Sequence, residues 1–351
     1  MRILVTGASG MLGSNIAAAA VQQSWEVLGT WHTGPAQVQG ASALGVNAAD
    51  RRACVSAATE FEPDVIVHAA IGGDPGRFER EPRLGRLTRL AAEHTLAAAR
   101  TVRARYVLVS CDWVFSGLRP PGERWDETDL TEPVNAYGRA QLAAEELVRG
   151  ESGVHWLITR VGDPYGVNLS RPTERRARGE RRANPPSHGG RAHGERREIP
   201  GGRHRGALAR HVWERSGEAV RLLARLRAGQ PLPAPTDVRR SPTYAWDYGQ
   251  RLCELIAQER EGVYHAAGPD SVHRREYARM IARAFGCDPE LVGHGDIASY
   301  LRALGEPPGL ALPPNTALDA ERTNAALGHP SVDVEAGLWL MSDQLRRALA
   351  R

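Results

Sequence analysis

The opening of the chain restricts its fold more than any other stretch. Arg2-Ile3-Leu4-Val5-Thr6 is a short apolar run that enters Gly7-Ala8-Ser9-Gly10-Met11-Leu12-Gly13 and continues as an alanine-rich helical stretch to about Gln23. The order is strand, glycine turn, helix. Gly7 suits the tight turn, Gly10 lets backbone approach a pyrophosphate, and Gly13 lets the helix pack closely on the strand. The unpaired N–H groups and positive dipole end of such a helix face phosphate oxygens. Gly7, Ser9, Gly10, Met11, Leu12 and Gly13 are therefore the expected contacts of a dinucleotide. A second apolar strand, Trp25-Glu26-Val27-Leu28-Gly29, ends in Thr30-Trp31-His32-Thr33. No Asp or Glu stands there to accept from a ribose 2′-hydroxyl. Thr30 and His32 could hydrogen-bond a 2′-phosphate, but no arginine is present to clamp it, so NADP(H) is only slightly preferred over NAD(H).

The pattern then repeats. Asp64-Val65-Ile66-Val67-His68-Ala69-Ala70 and Arg105-Tyr106-Val107-Leu108-Val109-Ser110 read as buried strands, with a long Ala- and Leu-rich helical stretch from Leu84 to Val102 between them. Strands alternating with helices predict an α/β fold, a Rossmann-type doubly wound parallel sheet. Ligands of such sheets gather at the carboxyl ends of the strands, where Gly7, Ala69-Ala70 and Ser110-Cys111-Asp112 would meet. A chain of 351 residues has room for two domains. They are expected as a dinucleotide-binding domain over 1–158 and a smaller, mainly helical substrate lobe over 159–351, some elements of which can return to the sheet. Helical periodicity over Val212 to Ala228, Tyr277 to Phe285 and Ala336 to Leu349 builds that lobe.

Composition excludes several other classes. The longest apolar runs, such as Ile16 to Val21, fall far short of the ~20 residues of a membrane span, and no basic region precedes an apolar stretch at the start. Four separated cysteines form no CxxC pair, which speaks against a zinc site or disulfide framework and for a reducing cytoplasm. The net charge is +4, and all 45 basic residues are arginine. Arginines crowd residues 171–206 among Gly, Pro and His, a stretch too poor in apolar side chains to offset its ordering entropy, so a disordered loop is expected there. It lacks the aromatic side chains that stack bases, so no nucleic-acid partner is expected. His188, His193, His204 and His211 have no metal-ligand spacing, and no metal site is expected.

Three further blocks carry a resemblance. They are Ser110-Cys111-Asp112-Trp113-Val114-Phe115-Ser116-Gly117, the acids Glu127 and Asp129, and Pro133-Val134-Asn135-Ala136-Tyr137-Gly138-Arg139-Ala140-Gln141-Leu142-Ala143-Ala144-Glu145. Together they resemble the active-site stretch of extended short-chain dehydrogenase/reductases, above all the dTDP-4-dehydrorhamnose reductase (RmlD-like) subgroup. Thr159-Arg160, Tyr165-Gly166, Asn168, Asp237 to Tyr244, Gly262 to Gly268 and Asn315 to Asp319 follow in the family's order, over nearly the whole chain except about 171–206. The resemblance implies a Ser/Thr–Tyr–Lys triad, a nicotinamide cofactor that also touches Ala69 and Ala70, and a nucleotide-activated sugar as substrate. Tyr137 fits the tyrosine position. Asp112, Trp113, Arg160, Asn168 and Arg240 are the substrate contacts it implies, although a structural ion pair is an equal reading of either arginine.

Two triad positions depart from the family. The lysine position, four residues after Tyr137 and so on the same helix face, is Gln141, which can hydrogen-bond a ribose but carries no charge. The hydroxyl position is Cys111, whose thiol is a weak donor; Ser110 should face the other side of the strand end. Cys111 as a nucleophile is disfavoured against a buried near-isostere of serine, because no histidine is placed to activate it. The aromatic position after Arg160 reads Val161-Gly162-Asp163-Pro164, and the polar loop after the fourth strand reads Ile71-Gly72-Gly73-Asp74. Two functions are carried forward. One is an NAD(P)-dependent reductase of a nucleotide-activated 4-keto-deoxysugar or related carbonyl, with Tyr137 as proton donor. The other is a non-catalytic NAD(P)- or sugar-nucleotide-binding homologue that regulates or scaffolds a partner; a homodimer is left open.

Overall fold

Alternation along the strands builds the core. Ile3, Val5, Val107 and Val109 point to one face of the sheet and Leu4, Tyr106 and Leu108 to the other, and all are buried. This is the period-two pattern of strands covered on both faces. The computed structural model describes residues 1–70, 74–172 and 217–350. The Arg-rich segment from 173 onward, its four histidines, Ile71 to Gly73 and the start of the helix expected at Val212 lie outside the described residues.

Seven strands form one parallel sheet: β1 (Arg2–Thr6), β2 (Glu26–Trp31), β3 (Ser42–Gly45), β4 (Val65–His68), β5 (Arg105–Cys111), β6 (Trp156–Val161) and β7 (Gly262–His265). Their spatial order is β7-β6-β5-β4-β1-β2-β3, so the chain reverses direction across the sheet between β1 and β4. One face carries α1 (Met11–Gln22), together with α7 (Ala245–Ala257), which brings Tyr248, Leu252, Leu255 and Ile256 onto the core built by Ile16, Ala17 and Ala20. The other carries α2 (Arg51–Phe61), α4 (Arg83–Val102) and α5 (Ala136–Arg149), with Ala58, Leu96, Ala144 and Val148 in its core. The short α3 (Pro75–Arg80) precedes α4. The boundary expected at 158/159 falls inside β6, and β7 and α7 return from the second half to complete the sheet and cover it.

The lobe has its own core. It is built from α6 (Gly217–Arg227), α8 (Arg274–Ala284), α9 (Ile297–Ala303) and α11 (Val334–Ala350), with Val220, Leu223, Tyr277, Ile281, Tyr300, Leu338 and Met341 at its centre. Short strand pairs stitch it to the sheet domain; Pro164–Tyr165 runs parallel to Thr243–Tyr244, and Arg239–Arg240 antiparallel to Val272–His273. The helix α10 (Glu321–Leu327) packs between β7 and α7. Among the described residues no helix is long and apolar enough to cross a membrane.

A buried ion pair joins α5 to the sheet. Glu145 and Arg160 both have side chains at 0% exposure. Arg160 Nε and Nη2 donate to the two carboxylate oxygens at 2.9 and 2.8 Å, Ser110 Oγ donates at 2.6 Å, and Arg149 Nη2 adds a fourth donor at 2.8 Å. Arg160 also donates to His265 Nε2 at 3.3 Å and lies over the Phe115 ring at 5.0 Å. Arg160 is therefore not a substrate contact: its guanidinium is consumed inside the protein by Glu145, and only the ion-pair reading of this residue survives.

Two measurements follow from this packing. Glu145→Ala leaves the Arg160 charge buried and unpaired and is expected to cost about 3–5 kcal/mol in denaturant unfolding, whereas Arg149→Ala, at the half-exposed end of the cluster, is expected to cost less than about 1 kcal/mol. Burial lowers His68 to about 4 and His265 to about 3, with the Arg160 charge adding to the second effect. Their ordinary value is 6.5, so between 6.5 and these lower values the unfolded chain binds more protons than the native one. Stability should fall as pH drops from 6.5 to 4, read as a falling denaturation midpoint; His68→Asn should flatten that slope.

Candidate active site

The carboxyl ends of β1, β4 and β5 converge with the first turns of α1 and α5. At β1 the turn is sterically closed to side chains. Gly7 has φ +73, and a Cβ there would stand 2.8 Å from Ala69 O and from Ala70 Cα. A Cβ on Gly13 would collide with the carbonyl of Gly7, 2.7 Å from its carbon. Gly10 is the N-cap of α1 and offers no side-chain cap, so the first N–H groups of the helix have no side-chain acceptor there. Gly7, Gly10, Gly13, Ala69 and Ala70 are thus brought together around one helix end, and Ser9, Met11 and Leu12 sit in the same turn. Thr30 is buried at the adjacent strand end, its carbonyl accepting from Ala8 N at 3.0 Å, while His32 is exposed.

Asn168 belongs to this turn and not to a substrate pocket. Its Nδ2 donates to Ser9 O at 3.0 Å, and its Oδ1 accepts from Ser170 N and Oγ at 3.0 and 2.8 Å. One end of the amide braces the glycine loop and the other is held by Ser170, which corrects the substrate contact expected for this residue.

Across the strand ends, Asn135 caps α5, its Oδ1 accepting from Gly138 N at 2.9 Å. Tyr137 stands in the first turn, walled edge-on by Phe78 of α3 at 5.2 Å and by Trp113 at 5.8 Å between ring centroids. Cys111 and Gln141 flank its phenol. Burial chiefly, and then the neighbouring Cys111, hold the phenol well above its ordinary range, with Asp112 adding to this and the Gln141 amide opposing it. None of these influences is a cation. Gln141 is 1% exposed, and its Nε2 is buried without a hydrogen bond of its own. Burial pushes the Cys111 thiol up as well, which removes the thiolate a nucleophile would need. Ser110 faces away, towards Glu145.

Behind Trp113 lies a second charged group. The Arg240 guanidinium is 5.6 Å from the Trp113 ring, and its Nε is 3.8 Å from Asp112 Oδ2. Asp112 is sealed at 1% exposure and accepts from the Thr316 hydroxyl. Burial raises its carboxyl to about 6 against the pull of Arg240 and Thr316. Arg240 is lowered to about 10 by burial and by the nearby Arg274. Its Nη1 donates to Arg239 O at 2.7 Å, but Nε and Nη2 are buried with no hydrogen-bond partner. Buried N–H donors of this kind are rare unless a ligand or water meets them. Within Val161 to Pro164, the stretch expected to differ from the resembled pattern, Asp163 takes φ +38 and accepts from Arg274 Nη1 at 2.5 Å. Tyr137, Cys111, Gln141, Asp112, Trp113 and Arg240 are thus brought together; Arg160 and Asn168 are not.

Phe78, Thr316 and Arg274 were not among the residues expected here. Each arrives through tertiary packing; Thr316 lies in the Asn315 to Asp319 motif, but that motif does not name its partner Asp112. Asn135 carried a readable signal, an Asn just before a helix start.

The uncapped α1 terminus, the turn closed to Cβ atoms and the unsatisfied Gln141 amide fit a dinucleotide lying from the glycine turn to Tyr137. Comparison with known proteins agrees with this architecture. Methionine adenosyltransferase 2 subunit beta of Xenopus laevis is 34% identical over 148 residues, a match spanning 42% of each chain, so less than half the length of that relative is covered. A probable low-salt glycan biosynthesis reductase, Agl14, of Haloferax volcanii is 24% identical over 329 residues, 93% of each chain. The solved structure of dTDP-4-dehydrorhamnose reductase from Bacillus anthracis in complex with NADP superposes with a TM-score of 0.71 at 19% identity, covering 98% of this chain and 99% of that one; at that identity it shows the shared fold. The family described as RmlD substrate binding domain matches residues 1–175, and over that stretch the chain is RmlD-like.

Proposed function

We propose that the protein is an NAD(P)H-dependent reductase of a carbonyl on a nucleotide-activated sugar, a 4-keto-deoxysugar or close relative, with Tyr137 as proton donor. The observation that carries this reading is the pairing, on either side of Trp113, of a protonated Tyr137 with an Arg240 that keeps two buried N–H groups unsatisfied. A guanidinium of that kind suits the diphosphate of a nucleotide sugar. When bound, the dinucleotide supplies the hydride that the carbonyl carbon receives. The chain's residues do the rest. Tyr137 gives its phenolic proton to the carbonyl oxygen, and the Cys111 thiol orients that oxygen as a weak donor. Gln141 Nε2 has a free N–H for a ribose hydroxyl. The first turn of α1 holds the pyrophosphate. The absence of a carboxylate after β2 supports a slight preference for NADP(H).

The raised phenol also favours one direction. Reduction consumes a proton from a neutral tyrosine, whereas oxidation needs the phenolate, which burial and the missing lysine charge both oppose. A second reading rests on that same missing charge. It is a dinucleotide-binding subunit without turnover, and the similarity to a protein named as a subunit supports it.

With NADPH and a panel of nucleotide 4-keto-deoxysugars, the full chain is expected to oxidise cofactor slowly, and Tyr137→Phe to lower kcat by about 10²–10⁴-fold. Gln141→Lys should raise kcat and move the basic limb of the pH–rate profile down, because an ammonium stabilises the phenolate and lowers the phenol pKa. Tight dinucleotide binding by calorimetry with no Tyr137-dependent oxidation would remove the reductase reading in favour of the subunit.

A further inference from the structure

Beyond α9 the chain does not return directly to the sheet. Leu304 to Pro314 form a proline-rich strap along the substrate side. Glu306 pairs with Arg221 of α6, and Pro307 Cδ lies where it would stand 2.6 Å from a Cβ on Gly76 of α3. Two residues on from Gly76, Phe78 walls Tyr137. Further along, Ala311 O accepts from Asn135 Nδ2 at 2.9 Å. Pro313 packs on Gly117, Pro314 O accepts from Arg240 Nη1 at 3.3 Å, and Thr316 reaches Asp112. The strap therefore touches three surroundings of Tyr137: α3, the first turn of α5 and the Arg240–Asp112 pair.

Asn135 stands at the middle contact, 1% exposed, with both ends of its amide in use. Oδ1 caps the tyrosine helix through Gly138 N, and Nδ2 holds the strap through Ala311 O, each at 2.9 Å. We infer that Asn135 is a positioning residue that clamps the 304–314 strap to the tyrosine helix, so that one side chain sets both the strap's place beside the Arg240–Asp112 pair and the seating of Tyr137. This rests on the reading of Tyr137 as proton donor, but the clamp can be observed without turnover. An ionised aspartate caps helices as well as asparagine does, yet has no N–H to offer Ala311 and repels its carbonyl.

The test is amide hydrogen exchange of the full chain, with steady-state kinetics beside it. In Asn135→Asp, the buried Leu310 amide, bonded to Pro307 O within the strap, is expected to exchange about five- to tenfold faster, the loss of one neutral hydrogen bond, while the Arg139 amide, bonded to Asn135 O, keeps its protection. KM for the sugar nucleotide should rise by a similar factor with kcat within about twofold. Asn135→Ala, which loses both bonds, should speed exchange in strap and helix alike and lower kcat as well. Unchanged strap exchange in Asn135→Asp, or an equal rise throughout the chain, overturns the clamp. The expected exchange pattern in a protein without turnover upholds the clamp and removes the proton-donor reading instead.

Discussion

The carboxylate of Glu145 organises this protein. Fully buried on α5, it receives four donors, two from Arg160 of β6, one from Ser110 of β5 and one from its own helix at Arg149. The helix that bears Tyr137 is thereby tied to the two strands beside it, and β7 joins through His265. Each ionised group alone would be costly to bury; together their hydrogen-bonding capacity is nearly saturated. The candidate site inherits its geometry from this knot. Ser110 is held on one side of the strand end, so the next residue, Cys111, must face Tyr137 on the other.

The same knot has an electrostatic consequence. Glu145 lies one helix turn beyond Gln141 on α5, and the Arg160 charge that reaches this helix from β6 is spent on it. The phenol is left among an uncharged amide, a protonated thiol and a buried carboxylate. A chain without lysine has no side chain that both carries a titratable ammonium and fits the Gln141 position. The site keeps a tyrosine at the head of α5 beside the strand ends, while its acid–base balance favours the neutral phenol. That combination suits proton donation, or binding alone, far better than alcohol oxidation.

Much of the fold was legible because it is local. The glycine turn, the alternating strands and the helices at Arg83–Val102 and Ala136–Arg149 each announce themselves through period and punctuation, and the parallel sheet follows from their order. The return of Gly262–His265 to the sheet was readable as a motif but not as an edge strand beside β6, because pairing is a tertiary choice. Among site residues, Tyr137, Cys111, Gln141, Asp112, Trp113 and Arg240 came together as the motif order implied. Arg160 and Asn168 did not, since a sequence shows a charge or an amide but not the partner that consumes it. Phe78 had no signal, and although Thr316 lies in the Asn315 to Asp319 motif, nothing in that motif names the carboxylate it reaches more than 200 positions away.

The distance along the chain between Asp112 and Thr316 bears on how the protein is made. During synthesis the first six strands of the sheet emerge well before His265, the strap and Thr316 do. Until then Arg160 lacks its imidazole neighbour and Asp112 its hydroxyl, and the strand at Trp156–Val161 is an open edge. Domains generally organise from the amino end as they leave the ribosome, and an exposed parallel edge is a template for wrong pairing. The nascent chain therefore carries six of the seven strands, with Trp156–Val161 as an unpaired edge, through about a hundred further residues before Gly262–His265 can cover it.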